Sequence, residues 1–214
     1  MKVISDNWPE LSAAILTTIR LTLVAFAFGL VIGVIVSVFR LSPIRPLRML
    51  ATAYTSLMIN SPLLFLVLFM FYGLTKLGVI VSANASAVIA LSLYLGGYVA
   101  EALRAGFNTV ANGQAEAGRA IGLTFGQSLR HVVLPQAIRS SFGPLGVLLN
   151  ASFRNIAVAS DISVSELTFR AKSISENTAQ YYPMFVLQFL VIAALAVLTS
   201  IAASTLDRKF AVKR

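Results

Sequence analysis

The chain has 214 residues, 57% of them hydrophobic and 12% charged, with a mean hydropathy of +0.84 and a formal net charge of +9. Soluble domains are about half apolar and a quarter charged, so the excess apolar surface here must face lipid, which excludes an ordinary soluble enzyme. The sequence has no cysteine and a single histidine, His131, which removes disulfides, thiolate nucleophiles and histidine-rich metal sites and leaves few plausible catalytic sets.

Met1–Arg20 reads as an outer-face segment. Trp8 suits headgroup level, and Ser12–Arg20 forms a helix entering the membrane with Arg20 snorkelling outward. Asp6 and Glu10 precede the first apolar run, unlike the basic-then-apolar order of a cleavable leader, so the uncharged stretch Leu21–Phe39 is expected to be a retained span. Its Gly29 and Gly33 stand four apart, a spacing that permits close helix approach but also arises by chance. Ser42-Pro43 and Arg45-Pro46 mark a short turn. A second span is expected from about Ala51 to Thr75. It contains Asn60, Ser61 and Pro62, read either as a plain kink or as Asn60 and Ser61 facing a translocation path. The third span, about Ala83 to Leu103, ends in Gly96, Gly97, Tyr98, Glu101 and Arg104. The last two share a helix face and are expected to form a structural ion pair.

The connection Ala105–Arg139, at roughly 35 residues, is far longer than an ordinary helix–helix link. Ala115–Ala120 is rich in helix formers, Gly122 can end a helix, and Phe125–Val133 resumes an apolar period, which predicts two short helices joined at a glycine turn. Pro135 begins the return into the membrane. Ser140–Phe153 is expected to be a shorter, weaker span that continues through Arg154 into Asn155–Ser160, and Tyr181–Leu206 is the last span. A charge inside a span usually faces the bundle interior or a cavity, so Arg154 is a candidate to attract a substrate carboxylate, with Asn155 as companion. Snorkelling to the outer surface, or pairing with Glu166, would explain Arg154 equally.

The positive charge is distributed by side. Arg40, Arg45 and Arg48 follow the first span; Arg104, Arg119, Arg130 and Arg139 follow the third, the last three within the long connection; Arg208, Lys209, Lys213 and Arg214 follow the last span. Such alternation predicts a multi-pass plasma (inner) membrane protein with its amino terminus outside and its carboxyl terminus in the cytoplasm, and it explains the charge without nucleic acid. The expected fold is all-α, a polytopic transmembrane helical bundle of about five spans. It forms one domain over residues 1–214, with residues 105–139 as a cytoplasmic loop within it.

Gln114-Ala115-Glu116-Ala117-Gly118-Arg119-Ala120-Ile121-Gly122-Leu123, followed by Val133-Leu134-Pro135-Gln136-Ala137, resembles the EAA loop of ABC importer permeases. Tyr98-Val99-Ala100-Glu101-Ala102-Leu103-Arg104-Ala105-Gly106, Asn60-Ser61-Pro62-Leu63-Leu64, and Ala159-Ser160 through Glu166-Leu167 narrow the resemblance to permeases of the polar amino acid (histidine, glutamine and glutamate) uptake family, closest in pattern to the actinobacterial glutamate type. Three departures stand out. Gly118 replaces an alanine and should loosen its helix. Ile59 stands where the family usually has arginine. Arg154-Asn155-Ile156-Ala157-Val158 replaces a run with two further hydroxyl positions.

The resemblance implies a type I ABC importer transmembrane domain working by alternating access. The permease would move a polar amino acid, glutamate favoured and glutamine or arginine possible. A cytoplasmic ABC ATPase dimer would receive the coupling residues Glu116, Ala117, Gly118, Arg119, Gly122 and Leu123, and an extracytoplasmic amino-acid-binding protein would deliver substrate. The lost hydroxyls favour a heterodimer with a second permease subunit over a homodimer. No lysine follows a glycine, so the chain lacks a Walker A loop and is expected to bind no cofactor itself; ATP and Mg would be used by the ATPase. Glu116 is the preferred coupling residue, placed near the start of a short helix where a carboxylate suits the dipole and could bond a partner arginine. Solvent-exposed helix capping is the alternative. An ion-gradient-driven secondary amino acid transporter is the main rival, with Glu101 as its one carboxylate near a span.

Overall fold

The computed structural model describes residues 2–110 and 112–210, with side-chain surroundings for all of these except positions 112, 115, 116, 119, 125 and 206–210. The described residues contain helix and no strand. A short α1 (Lys2–Asp6) leads into α2 (Trp8–Leu41), a single 34-residue helix. Pro9 lies in the first turn of α2, where its missing N–H breaks no helical bond. Ser42 is extended at ψ 139° ahead of Pro43, as proline demands of the residue before it, and ends the helix.

The second expected span is broken rather than kinked. α3 (Arg45–Asn60) stops at Ser61, extended at ψ 137° before Pro62. The chain then resumes as α4 (Leu63–Leu68), a π-helical turn (Phe69–Gly73) and α5 (Leu74–Lys76). The arms Arg45–Asn60 and Leu63–Lys76 meet at 105°. An interior proline with one missing backbone bond is compatible with a kink; a preceding residue held in the extended region turns it into a corner.

α6 (Ala83–Asn108) starts at Ser82, whose hydroxyl accepts the Ala85 N–H. After the link come α7 (Asn112–Ala120), α8 (Phe125–Ser128), a π-helical turn (Leu129–Val133) and α9 (Leu134–Asn155). A 3₁₀ segment (Ile156–Ile162), α10 (Leu167–Thr178) and α11 (Tyr181–Phe210) complete the chain. Four helices among the described residues are long and apolar enough to cross a membrane, and the bent pair makes a fifth if it counts as one crossing. The fourth of these, expected to be short, is a continuous run over Gly126–Ile162 that passes through Pro144 and Arg154.

α6 is the central helix. Its Leu91, Leu95, Val99 and Ala100 are at most 1% exposed. α2 lies against it through the two glycines: a Cβ at Gly29 would stand 2.8 Å from the Leu95 Cβ, and one at Gly33 would run into the Val99 side chain with the Ala100 nitrogen 3.1 Å away. The four-residue glycine spacing is therefore a true helix–helix contact here. On another side of the same core, Leu66 and Val67 of α4 pack with Ile156, Ala159 and Ile162 of the 3₁₀ segment and with Val164. Outward-facing Phe28, Val31, Val38, Phe185, Phe189 and Leu198 are 58–72% exposed, the apolar surface that lipid covers.

The turn after the 3₁₀ segment, outside the apolar spans, holds a buried carboxylate. Glu166, 1% exposed, is the N-cap of α10 and accepts the Thr168 and Phe169 N–H groups at 2.9 and 2.8 Å. Burial pushes its carboxyl above the usual range, against the smaller opposing effect of those donors. A raised value means the folded state holds the proton more tightly than the unfolded one. Its stabilising contribution is therefore complete below the ordinary carboxylate range and is lost as pH rises toward the folded-state value. The melting temperature of the purified chain should fall over that interval, and the fall should be absent in Glu166→Gln; identical pH profiles would contradict the assignment.

Candidate coupling and translocation sites

The long connection folds as the sequence predicts, into two short helices joined at Gly122. Gly122 takes φ +87°, and the Leu123 N–H reaches back to the Gly118 carbonyl at 3.1 Å. This is a Schellman closure, which needs a residue at ease in the left-handed region. The second helix opens with a capping box that the sequence reading missed, although its Thr-x-x-Gln pattern was visible. The Thr124 hydroxyl accepts the Gln127 N–H at 3.3 Å, while Gln127 Oε1 accepts the Thr124 N–H at 2.9 Å.

Gly118 has a packing reason. A Cβ there would lie 2.9 Å from Ser128 Oγ and 3.6 Å from Leu123 Cδ1. The expected loosening does not stop α7, which runs through to Ala120; glycine lets it settle on the following segment. α7 also begins at Asn112, three residues earlier than predicted, so position 116 lies beyond the first turn, where the dipole acts most strongly. That weakens the capping explanation of Glu116. The side chains of Glu116 and Arg119 lie outside the described residues. Ala117 and Gly122 are exposed, Leu123 is half-buried, and Ile121, at the tip of the turn, is 79% exposed.

Next to this loop, Glu101 is held from two directions. Arg104 bonds Oε1 through Nε at 2.9 Å and through Nη2, as the spacing predicts. Arg40, at the end of α2, bonds Oε2 at 2.8 Å. Sequence spacing gave no signal for Arg40, which is separated from Glu101 by 61 residues.

The polar groups at the corner mostly serve the backbone. Asn60 Nδ2 donates to the Ser56 carbonyl and Ser61 Oγ to the Leu57 carbonyl, both at 2.7 Å. This is the local satisfaction expected of a bend. Asn60 is nonetheless exposed and Ser61 half-buried, so both border the surface of the corner.

Arg154 is exposed on α9, and among the described residues no carboxylate pairs with it. The expected alternative of a bond to Glu166 is not realised, because that carboxylate is committed to the start of α10. Two cavities flank the guanidinium. One, of about 340 Å³, lies between α9 and α11 and is lined by Asn150, Ser200 and Ser204 with Gly143, Gly146, Val147 and Ala203. The other, of about 400 Å³, has Thr168 and Gln188, hydrogen-bonded to each other at 3.0 Å, set in a wall that includes Phe153, Phe185 and Phe189. Asn150 donates to the Ala196 carbonyl and to Ser200 Oγ across the two helices. Neither cavity is lined by Asn155, Asn60 or Ser61. The sequence reading missed Asn150 and Ser200. The available signal was the four-residue spacing of Asn150 and Arg154, and of Ser200 and Ser204, each pair on one helix face.

The profile of the family described as binding-protein-dependent transport system inner membrane component matches residues 8–212. The glutamate transport system permease protein GluC of Corynebacterium glutamicum is 37% identical over 204 residues, covering 88% of this chain and 90% of that one. The L-cystine transport system permease protein TcyB of Bacillus subtilis is 35% identical, covering 94% and 87%. A crystal structure of an amino acid ABC transporter with histidines superposes with a TM-score of 0.92 at 28% identity over 96% of both chains. With the apolar, membrane-length helices, the glycine-closed loop and these matches together, the chain belongs to the binding-protein-dependent transport system inner membrane components, the permease subunits of ABC importers.

Proposed function

We propose that this permease carries a polar amino acid inward by alternating access, with glutamate the favoured substrate and glutamine or arginine the next candidates. The observation that carries the reading is Arg154, a guanidinium with no acidic partner among the described residues, flanked by cavities of about 340 and 400 Å³ with amide and hydroxyl groups beside it. An unpaired charge at membrane depth is costly unless something meets it, and a substrate carboxylate would. The naming of GluC relatives in Corynebacterium glutamicum and Corynebacterium efficiens as glutamate permeases supports the same choice.

The coupling residues in this proposal are Glu116, Ala117, Gly118, Arg119, Gly122 and Leu123, with Ile121 added because its exposed side chain suits a groove on an ATPase subunit. An ATPase dimer using ATP and Mg would drive the loop, and a binding protein would supply substrate from the opposite side. The charge distribution supports an outside amino terminus and a cytoplasmic loop and carboxyl terminus. Ile59, Ile156 and Ala157, where polar groups are expected of the family, support pairing with a second, different permease. A proton-driven mechanism would have called on Glu101, which is held between Arg40 and Arg104.

Arg154→Gln should raise the KM of uptake by roughly 10- to 100-fold, the range for losing a hydrogen bond to a charged group. If Arg154 meets the side-chain carboxylate, glutamate uptake suffers and glutamine uptake does not; if it meets the α-carboxylate, both suffer. Unchanged KM for both, at normal expression, would remove Arg154 from the path.

A further inference from the structure

The 105° corner between α3 and α4 leaves backbone carbonyls without their helical donors, and the partner of one of them comes from another helix. Pro62 has no N–H for the Met58 carbonyl, so the Ser61 N–H turns to it at 3.4 Å. The Leu57 carbonyl, which the Ser61 N–H would otherwise serve, takes Ser61 Oγ. The Ile59 carbonyl would bond the Leu63 N–H in a continuous helix; beyond an extended Ser61 it takes the Tyr98 hydroxyl of α6 at 3.2 Å. Tyr98 receives the Tyr94 hydroxyl at 3.2 Å, with ring centroids 4.8 Å apart, so each phenol donates one bond in the direction of the corner.

The backbone of α6 is shaped to receive the same turn. A Cβ on Gly97 would stand 2.8 Å from the Met58 Cβ and 3.6 Å from the Thr55 carbonyl oxygen. One turn earlier in α3, Tyr54 donates to the Leu93 carbonyl at 2.6 Å. Only the last turn of α3, the one that ends in Asn60 and Ser61, is joined to α6 by a side chain that caps a carbonyl freed by the break.

We propose that Tyr98 is a positioning residue for transport: its hydroxyl, closing on the Ile59 carbonyl, holds the end of α3 on α6 and fixes the angle of the corner that places Asn60 and Ser61. This rests on the reading that the corner borders the translocation path. A hydrogen bond to a carbonyl freed at a break is a two-state contact. Made, it joins α3 to the central helix as one body; broken, it leaves the corner free to swing.

The chain contains no cysteine, so spin labels at Thr52→Cys and Lys76→Cys, one on each arm, report the corner when the partner subunits are freed of cysteine. In the assembled importer, Tyr98→Phe should broaden the distance distribution between the labels. It should also lower the turnover of uptake per assembled complex roughly tenfold, with KM unchanged, the size expected when a part-buried carbonyl loses its donor. Gly97→Ala retains the hydroxyl but pushes α3 outward, and should broaden the same distribution; it serves where Tyr98→Phe fails to accumulate. An unchanged distribution with unchanged turnover in both variants overturns the proposal, as does a loss of protein amount with normal turnover per complex. Asn60→Ala separates this from the path reading. If Asn60→Ala alters uptake and Tyr98→Phe does not, the path stands and the positioning role falls. If Asn60→Ala is silent for every amino acid while Tyr98→Phe loosens the corner and slows uptake, the positioning role stands and the path reading falls.

Discussion

Glu116→Lys should abolish uptake, by roughly 100-fold or more, while the importer still assembles in the membrane. The size follows from the cost of reversing one partner of a desolvated, hydrogen-bonded charge pair across an interface. Two features of the loop favour an interfacial role over a local one. α7 starts at Asn112, so position 116 is past the first turn and gains little from the dipole. Ile121 at 79% exposure and exposed Ala117 give the same short helix and its turn an apolar tip that a soluble loop would hide. The measurement is uptake in vesicles beside ATP hydrolysis and co-purification of the ATPase. Normal uptake with normal assembly would end the coupling role of Glu116. Reduced co-purification with uptake lowered in proportion would assign the residue to assembly rather than to transmission.

The second large effect is expected at the seam of α2 and α6. Gly33→Leu should destabilise the folded chain by about 1–3 kcal/mol or more, the range for overpacking a close contact. It should be seen as a lowered melting temperature in detergent and a reduced yield of monodisperse protein. The reason is that the added Cβ meets Val99 and the Ala100 nitrogen, on a central helix that cannot withdraw because its opposite faces are also packed. Gly126→Ala is the control: an added Cβ there meets no atom within 4 Å, and alanine favours helix. Equal stability of Gly33→Leu and the parent would show that the seam is looser than these distances require. The Arg40–Glu101 bond lies at the end of this same seam, so a shifted α2 would also release Glu101 from one of its two arginines.

The elements most readily legible were those whose physics is local. Length and apolarity alone set out the crossings, because a helix in lipid must satisfy its own backbone. The glycine turn at Gly122 was visible because a left-handed residue admits few side chains. The Glu101–Arg104 pair was visible because three residues on a helix bring two side chains together. The capping box at Thr124 and Gln127 was equally local and was overlooked. Pro62 announced a disturbance, yet whether it would be a kink or a 105° corner depended on how Ser61 and the freed carbonyls found partners, one of them on a helix 39 residues away.

What the sequence by itself determined, then, is an all-helical membrane bundle with a structured connection of a recognisable family. Periodicity, hydropathy and turn chemistry act over a few residues and do not need the rest of the chain. Tertiary structure alone decided that Gly29 and Gly33 meet Leu95 and Val99, that Arg40 closes on Glu101, that Glu166 turns to the start of α10 instead of to Arg154, and that Tyr98 caps the broken end of α3. Each of these is a contact between segments whose separation along the chain carries no information about their separation in space. Each is chosen by which groups remained to be packed or bonded once the helices had come together.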